Sequence, residues 1–213
     1  MAIDHLLDEH EQSERVRGWL RANGAGLIGG VILGLGLIGG WQWWQQHQAT
    51  QRAEAGRQYD AIVRTVAQKD LKKAKADVAA LAGTGTDYAV LAAMHVAKAQ
   101  VDGGDRDGAI ATLRAVQAKD PAIDAVVRSR LARLLNDAGK AKDALALLGD
   151  KPEGAAAIEA RGDALFALGR IEEARTAYAQ AMAKLDVATP QRRLVELKLI
   201  QVGGNPARPE VRG

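Results

Sequence analysis

The chain has no cysteine, a single phenylalanine and an aromatic content of only 4%. Without a thiol it can form no disulfide, no thiolate nucleophile and no cysteine-bound zinc site. No run shows the alternation and β-branched enrichment of a strand. Apolar residues still make up 47% of the sequence, mostly as alanine and leucine. That balance favours helices that pack through small side chains, so the expected class is all-α.

Charge is missing from one long stretch. No Asp, Glu, Lys or Arg lies between Arg21 and Arg52, and within that gap Asn23–Trp44 is apolar and rich in glycine. As a helix this span would reach about 33 Å, enough to cross the hydrocarbon of a bilayer. Trp19 precedes it and Trp41, Trp43 and Trp44 follow it, where amphipathic rings anchor at the membrane interface. Glycine is no obstacle here, because in lipid a helix is the one single-segment structure that pairs every backbone amide. Gly26, Gly30 and Gly34 recur at every fourth position, and Gly36 and Gly40 repeat that spacing. They form a candidate contact face for another transmembrane helix; the alternative is that they simply meet lipid. Ala53-Glu54-Ala55 resembles a signal-peptide cleavage pattern, but it lies well past the apolar core and follows an acidic amino-terminal region. An uncleaved anchor is expected.

The anchor divides the chain into a short tail (1–21), a span (22–44), a helical domain (45–202) and an end segment (203–213) expected to be disordered. The tail holds Arg15, Arg17 and Arg21 close to the span, whereas the far side offers its first cation at Arg52. By the positive-inside rule this places the amino terminus in the cytoplasm and the helical domain across the membrane. Helix-length segments then follow at about 49–69, 71–82, 87–102, 106–118, 122–138, 141–148, 153–168, 171–185 and 190–202, broken by Gly, Asp or Pro. Ala53, Gly56, Tyr59, Ile62, Val63 and Val66 make a helical stripe in the first of them.

The segments repeat. The clearest unit has a small residue at Gly162, a turn at Gly169, and Ala174, Tyr178 and Ala181 on the second helix, which is the tetratricopeptide pattern. Small residues let the two helices of a pair close together, and the larger side chain fills the gap toward the next pair. The frame recurs at Ala132, Gly139, Ala144 and Leu148, at Ala97, Gly104, Ala109 and Leu113, and more weakly at Ile62, Ala74, Val78 and Leu81. Ala74, Ala109, Ala144 and Ala174 are spaced 35, 35 and 30 apart, near the repeat period of about 34 residues. The repeat-packing positions are thus Ala109, Ala144, Gly162, Ala174, Tyr178 and Ala181.

Motifs for chemistry are lacking. His5, His10, His47 and His95 have no ligand partners at metal-binding spacing, apart from acids beside the first two. There is no phosphate loop, zinc-protease motif or nucleophile elbow. Neither catalytic residues, a metal nor a cofactor is expected. The net charge of +3 is interspersed rather than gathered on a face with aromatic platforms, so no nucleic acid is expected as a partner. Repeat arrays of this kind present a long concave surface suited to protein segments.

Trp19-Leu20-Arg21-Ala22-Asn23-Gly24, Gly30-Val31-Ile32-Leu33-Gly34 and Gly40-Trp41-Gln42-Trp43-Trp44-Gln45-Gln46-His47-Gln48, together with Ser129-Arg130-Leu131-Ala132-Arg133 and Arg161-Gly162-Asp163-Ala164-Leu165, resemble the YfgM family. The resemblance covers nearly the whole chain. It implies a non-enzymatic, single-span protein of the bacterial inner membrane with its carboxyl-terminal domain in the periplasm. The implied partners are the SecYEG translocon, the PpiD periplasmic chaperone and exported, unfolded polypeptides. The chain departs from the family pattern in its Gly/Pro-containing end segment and its alanine-rich repeats. Two other functions use the same architecture: a membrane-tethered assembly factor for envelope or cell-division machinery, and a repeat protein released by cleavage.

Overall fold

No proline occurs before Pro121, so nothing in the first part of the chain must interrupt a helix. In the computed structural model, which describes residues 3–206 with side chains from Glu14 onward, a helix α1 runs unbroken over Ile3–Ala67. The chain divides into two units, Met1–Ala53 and Glu54–Gly213. The first consists of α1. Its apolar window has a mean hydropathy of 1.7, and none of it is buried against the rest of the described chain. A core helix of a soluble domain would be covered; this one is long and apolar enough to cross a membrane.

The second unit begins on the last turns of α1 and continues through α2 (Leu71–Ala82), α3 (Tyr88–Asp102), α4 (Arg106–Arg114), α5 (Pro121–Asp137), α6 (Ala141–Leu148), α7 (Ala155–Ala167), α8 (Ile171–Ala183) and α9 (Pro190–Gln201). Among the described residues there is no strand. The helices pack as consecutive antiparallel pairs, α3 with α4, α5 with α6 and α7 with α8, and each pair stacks on the next.

One backbone device sets the repeat. After α1, α3, α5, α7 and α9 the chain turns through a left-handed residue: Lys69, Gly104, Gly139, Gly169 and Gly203, with φ between 64° and 83°. At each, the following amide reaches back five residues, Asp70 to Thr65, Asp105 to Gln100, Lys140 to Leu135, Arg170 to Leu165 and Gly204 to Leu199. This closes the free carbonyls of the helix end. Four of the five turns use glycine, which takes this backbone conformation without steric cost. Lys69 is the exception.

Five residues past the first four turns stand Ala74, Ala109, Ala144 and Ala174, all with no exposed surface. Ala181 is likewise buried, and Tyr178 is 2% exposed. Gly162 faces Tyr178 so closely that a Cβ there would lie 2.6 Å from the ring. Three apolar cores result. Ala55 and Ile62 of α1 pack with Val78 and Leu81 of α2 and Val96 of α3. Leu113, Leu131, Leu135 and Leu148 centre the middle one, and Leu165, Tyr178, Val195 and Leu199 the last.

As the absence of a breaker after Gln45 implies, the segment from about residue 49 is continuous with the apolar span. The structure departs from the sequence reading in three places. Ala53 is exposed and Ala55 takes the buried place on that stripe. Helix α4 stops at Arg114 rather than 118, because the Asp87 carboxylate draws in the amides of Lys119 and Asp120 at 2.7 and 3.2 Å. In the end segment, Gly203 and Gly204 form the turn after α9, while residues 207–213 lie outside the described part.

Candidate functional site

Two surfaces carry the features that sequence and fold set apart: the apolar part of α1, and the row of first helices α3, α5, α7 and α9.

On α1 the side chains stand free. Trp19, Trp41, Trp43 and Trp44 are 57%, 59%, 70% and 47% exposed. Trp43 stacks on His47 with planes 10° apart, and Trp41 lies against Trp44 at 5.3 Å between centroids. Beyond the rings a polar collar forms, with Thr50 donating to the Gln46 carbonyl, Gln51 bonded to His47, and Arg52 donating to Gln48. Such a step from indoles to amides is the profile of a membrane–water boundary. At Gly26, Gly30, Gly34, Gly36 and Gly40 an added Cβ would meet nothing within 4 Å. The glycines therefore serve no packing within the described chain.

On the first-helix row, Met94, Ala97 and Val101 of α3 and Leu134 of α5, with Leu113 of α4 beneath, line a shallow groove of about 330 Å³, edged by Lys98, Arg130 and Arg133. The Arg130 guanidinium rests on the Met94 sulfur at 3.4 Å, with no carboxylate bonded to it among the described residues. The mixture of an apolar floor and cationic rim suits apolar protein segments that carry acidic residues. His95, on the same helix, is exposed and bonded to the Tyr59 hydroxyl at 3.0 Å, a contact between α1 and α3.

Further along the row the surface is closed by a charge network. Glu159, 2% exposed, receives Arg133 at 2.9 Å, Gln191 at 2.7 Å and Lys198 at 2.8 Å. Lys198 also reaches Asp163, which accepts from the Tyr178 hydroxyl at 2.9 Å. Burial works against ionisation of Glu159, but the bonds from Lys198 and Gln191 and the charges of Lys198 and Arg133 together outweigh it. Its carboxyl is held below the usual glutamate range. Burial and then the Asp163 charge push the Tyr178 hydroxyl up, so it stays a donor. The network ties α5, α7 and α9 together. Sequence reasoning missed it because its partners are 26 and 39 residues from Glu159. The available signal was a lone glutamate in the otherwise apolar Ala155–Ala160 run.

An apolar anchoring helix followed by stacked antiparallel helix pairs defines a membrane-anchored helical-repeat protein. Residues 17–204 match the family model described as a tetratricopeptide repeat-like domain. The chain is 33% identical to a Haemophilus influenzae protein named ancillary SecYEG translocon subunit, over 83% of this chain and 90% of that one. An Escherichia coli protein of the same name is 32% identical over 90% of this chain and 95% of its own length. A third so named, from Aggregatibacter actinomycetemcomitans, is 27% identical over 92% of this chain. The chain belongs to this family of tetratricopeptide repeat-like proteins. No solved structure matches it.

Proposed function

We propose that this protein is a non-catalytic ancillary subunit of the SecYEG translocon in a bacterial inner membrane. The observation that carries the reading is the name shared by two relatives at 32–33% identity across most of both chains. In this reading residues 1–21 lie in the cytoplasm, 22–44 span the membrane, and 45–202 form the periplasmic repeat domain, closed by the turn at Gly203 and Gly204. The arginines at 15, 17 and 21, close to the span, support that orientation. Gly26, Gly30, Gly34, Gly36 and Gly40 offer a groove to a helix of the channel, since they are open on α1 and small residues let helix backbones approach. The groove between α3 and α5 suits apolar stretches of exported, unfolded polypeptides, and a PpiD-type periplasmic chaperone is the expected neighbour.

A photo-crosslinking residue in place of Leu33 or Leu37, with the captured protein identified, tests the partner. Capture of channel subunits is expected; capture of envelope-assembly or division proteins with no channel subunit would replace this reading. For orientation, a reporter active only in the periplasm should work when fused after Val202. Activity only when it precedes Met1 would reverse the topology.

A further inference from the structure

Along the row of first helices, every joint but one is bridged by hydrogen bonds among the described residues. Tyr59 and His95 join α1 to α3. Arg133 on Glu159 and Asn136 on the Ala160 carbonyl join α5 to α7, while Gln191 on Glu159 and Lys198 on Asp163 join α7 to α9. Between α3 and α5 the Arg130 guanidinium meets only the Met94 sulfur, a weak acceptor. That joint is where the groove of about 330 Å³ opens. Of the cations at its edge, Lys98 is paired with Asp102 and Arg133 with Glu159. Among the described residues Arg130 has no carboxylate partner, and no acid lines the groove.

We propose that the groove selects extended segments in which a carboxylate stands two residues from an apolar side chain, with Arg130 as the group that recognises the carboxylate. Such selection rests on the groove being a seat for exported polypeptides, and it sets which of them are held. Arg130 and Leu134 are four places apart on one face of α5, and Ala97 and Val101 four apart on one face of α3. Each pair is therefore separated by about 6 Å along its helix. In an extended chain, side chains two residues apart share a face and lie about 6.7 Å from one another. A carboxylate on Arg130 thus sets the next side chain of that face over the apolar floor at Val101 and Leu134. A helical segment, about 10 Å across, is too thick to seat in so shallow a space. Exchanging a thioether for a carboxylate gives the guanidinium a charge-assisted, bidentate partner, and this supplies the preference.

The test irradiates full-length protein in mild detergent with serine–glycine peptides that carry a diazirine analogue of leucine. One peptide has Asp two residues from the analogue, a second has Asn in place of that Asp, and a third has Asp directly beside the analogue. The first should label Met94, Val101 or Leu134 about tenfold more than the other two, the size of one charge-assisted hydrogen bond. Arg130→Glu, a change at an exposed position, should keep the native melting transition and turn the preference toward a peptide with Lys in place of Asp. Equal labelling by the first peptide and either of the other two overturns the proposal, as does an unchanged preference in Arg130→Glu; both leave the groove as a seat for exported segments. Labelling of these residues by no peptide overturns that role as well. Labelling there by a photo-activatable anionic phospholipid in the same micelles, and by no peptide, assigns the groove to lipid and overturns both.

Discussion

The anchor and the repeat unit both depend on small residues, and they use them in opposite ways. In the repeats a small side chain is answered within the chain: Gly162 admits the Tyr178 ring, and Ala109, Ala144 and Ala174 are fully enclosed. In the anchor Gly30 and Gly34 meet nothing within 4 Å. A glycine costs helix stability in water relative to alanine, so one that helps no internal contact is worth keeping where an external helix uses it or lipid alone surrounds it. The contrast separates residues that build this fold from residues that are available to a partner.

The largest expected effect comes from reversing that assignment. Gly162→Ala puts a methyl 2.6 Å from the Tyr178 ring and should destabilise the repeat unit by about 2–3 kcal/mol as the ring is displaced. Gly30→Ala should leave the same melting transition unchanged. Equal melting temperatures for the two variants would erase the distinction. Ala144→Leu and Ala174→Leu should likewise lower the transition, while exposed Glu172→Gln should not.

Next is the charge network that binds the last helices. Lys198→Met leaves Glu159 buried without its closest ammonium and should cost about 3 kcal/mol in denaturant unfolding. Glu159→Gln should cost less, because the arginine and lysine left behind are partly exposed and regain water. The pH dependence sharpens this. Because the Glu159 pKa is lowered on folding, its contribution is present above the ordinary glutamate value of about 4.5 and is lost as pH falls through the folded value. Unfolding followed from pH 7 to pH 3 should therefore show a steeper acid loss in the native chain than in Glu159→Gln. Parallel curves would mean that the network adds nothing to stability.

The smallest effect concerns the first turn. Lys69 takes a left-handed conformation that glycine occupies in the other four, so Lys69→Gly should stabilise by about 1 kcal/mol. Gly139→Ala should destabilise by a similar amount. Thermal melts of the two variants, shifting in opposite directions, check the shared backbone geometry.

How much of this was readable in the sequence follows from the range of the interactions. The repeat was legible because Gly104, Gly139 and Gly169 and the alanines beyond them act within a few residues of one another, so spacing alone exposes the pattern. The first turn was obscured because Lys69 stands where the others have glycine. The early end of α4 was hidden for another reason: the carboxylate responsible, Asp87, is 32 residues before Lys119. Glu159 read as an isolated charge, and its three partners come from two other helices. The groove between α3 and α5 exists only once the pairs are stacked. The anchor was legible from its charge gap, but the identity of its neighbour depends on another molecule.

The measurement that bears most directly on the central contrast replaces Gly30 and Gly34 together by Leu in the full-length chain. The span stays apolar and should still insert, and the repeat unit should melt as before, since nothing among the described residues packs against these positions. Co-purification of the translocon in mild detergent is then compared with native protein and with the matched double substitution Val31→Ala and Leu35→Ala, which lies on the helix face away from the glycines. The account predicts that the glycine replacements sharply reduce the recovered channel while the control replacements do not. Recovery equal to the native protein would contradict it, leaving the anchor glycines facing lipid and the association resting on the Trp41–Trp44 boundary or on the repeats.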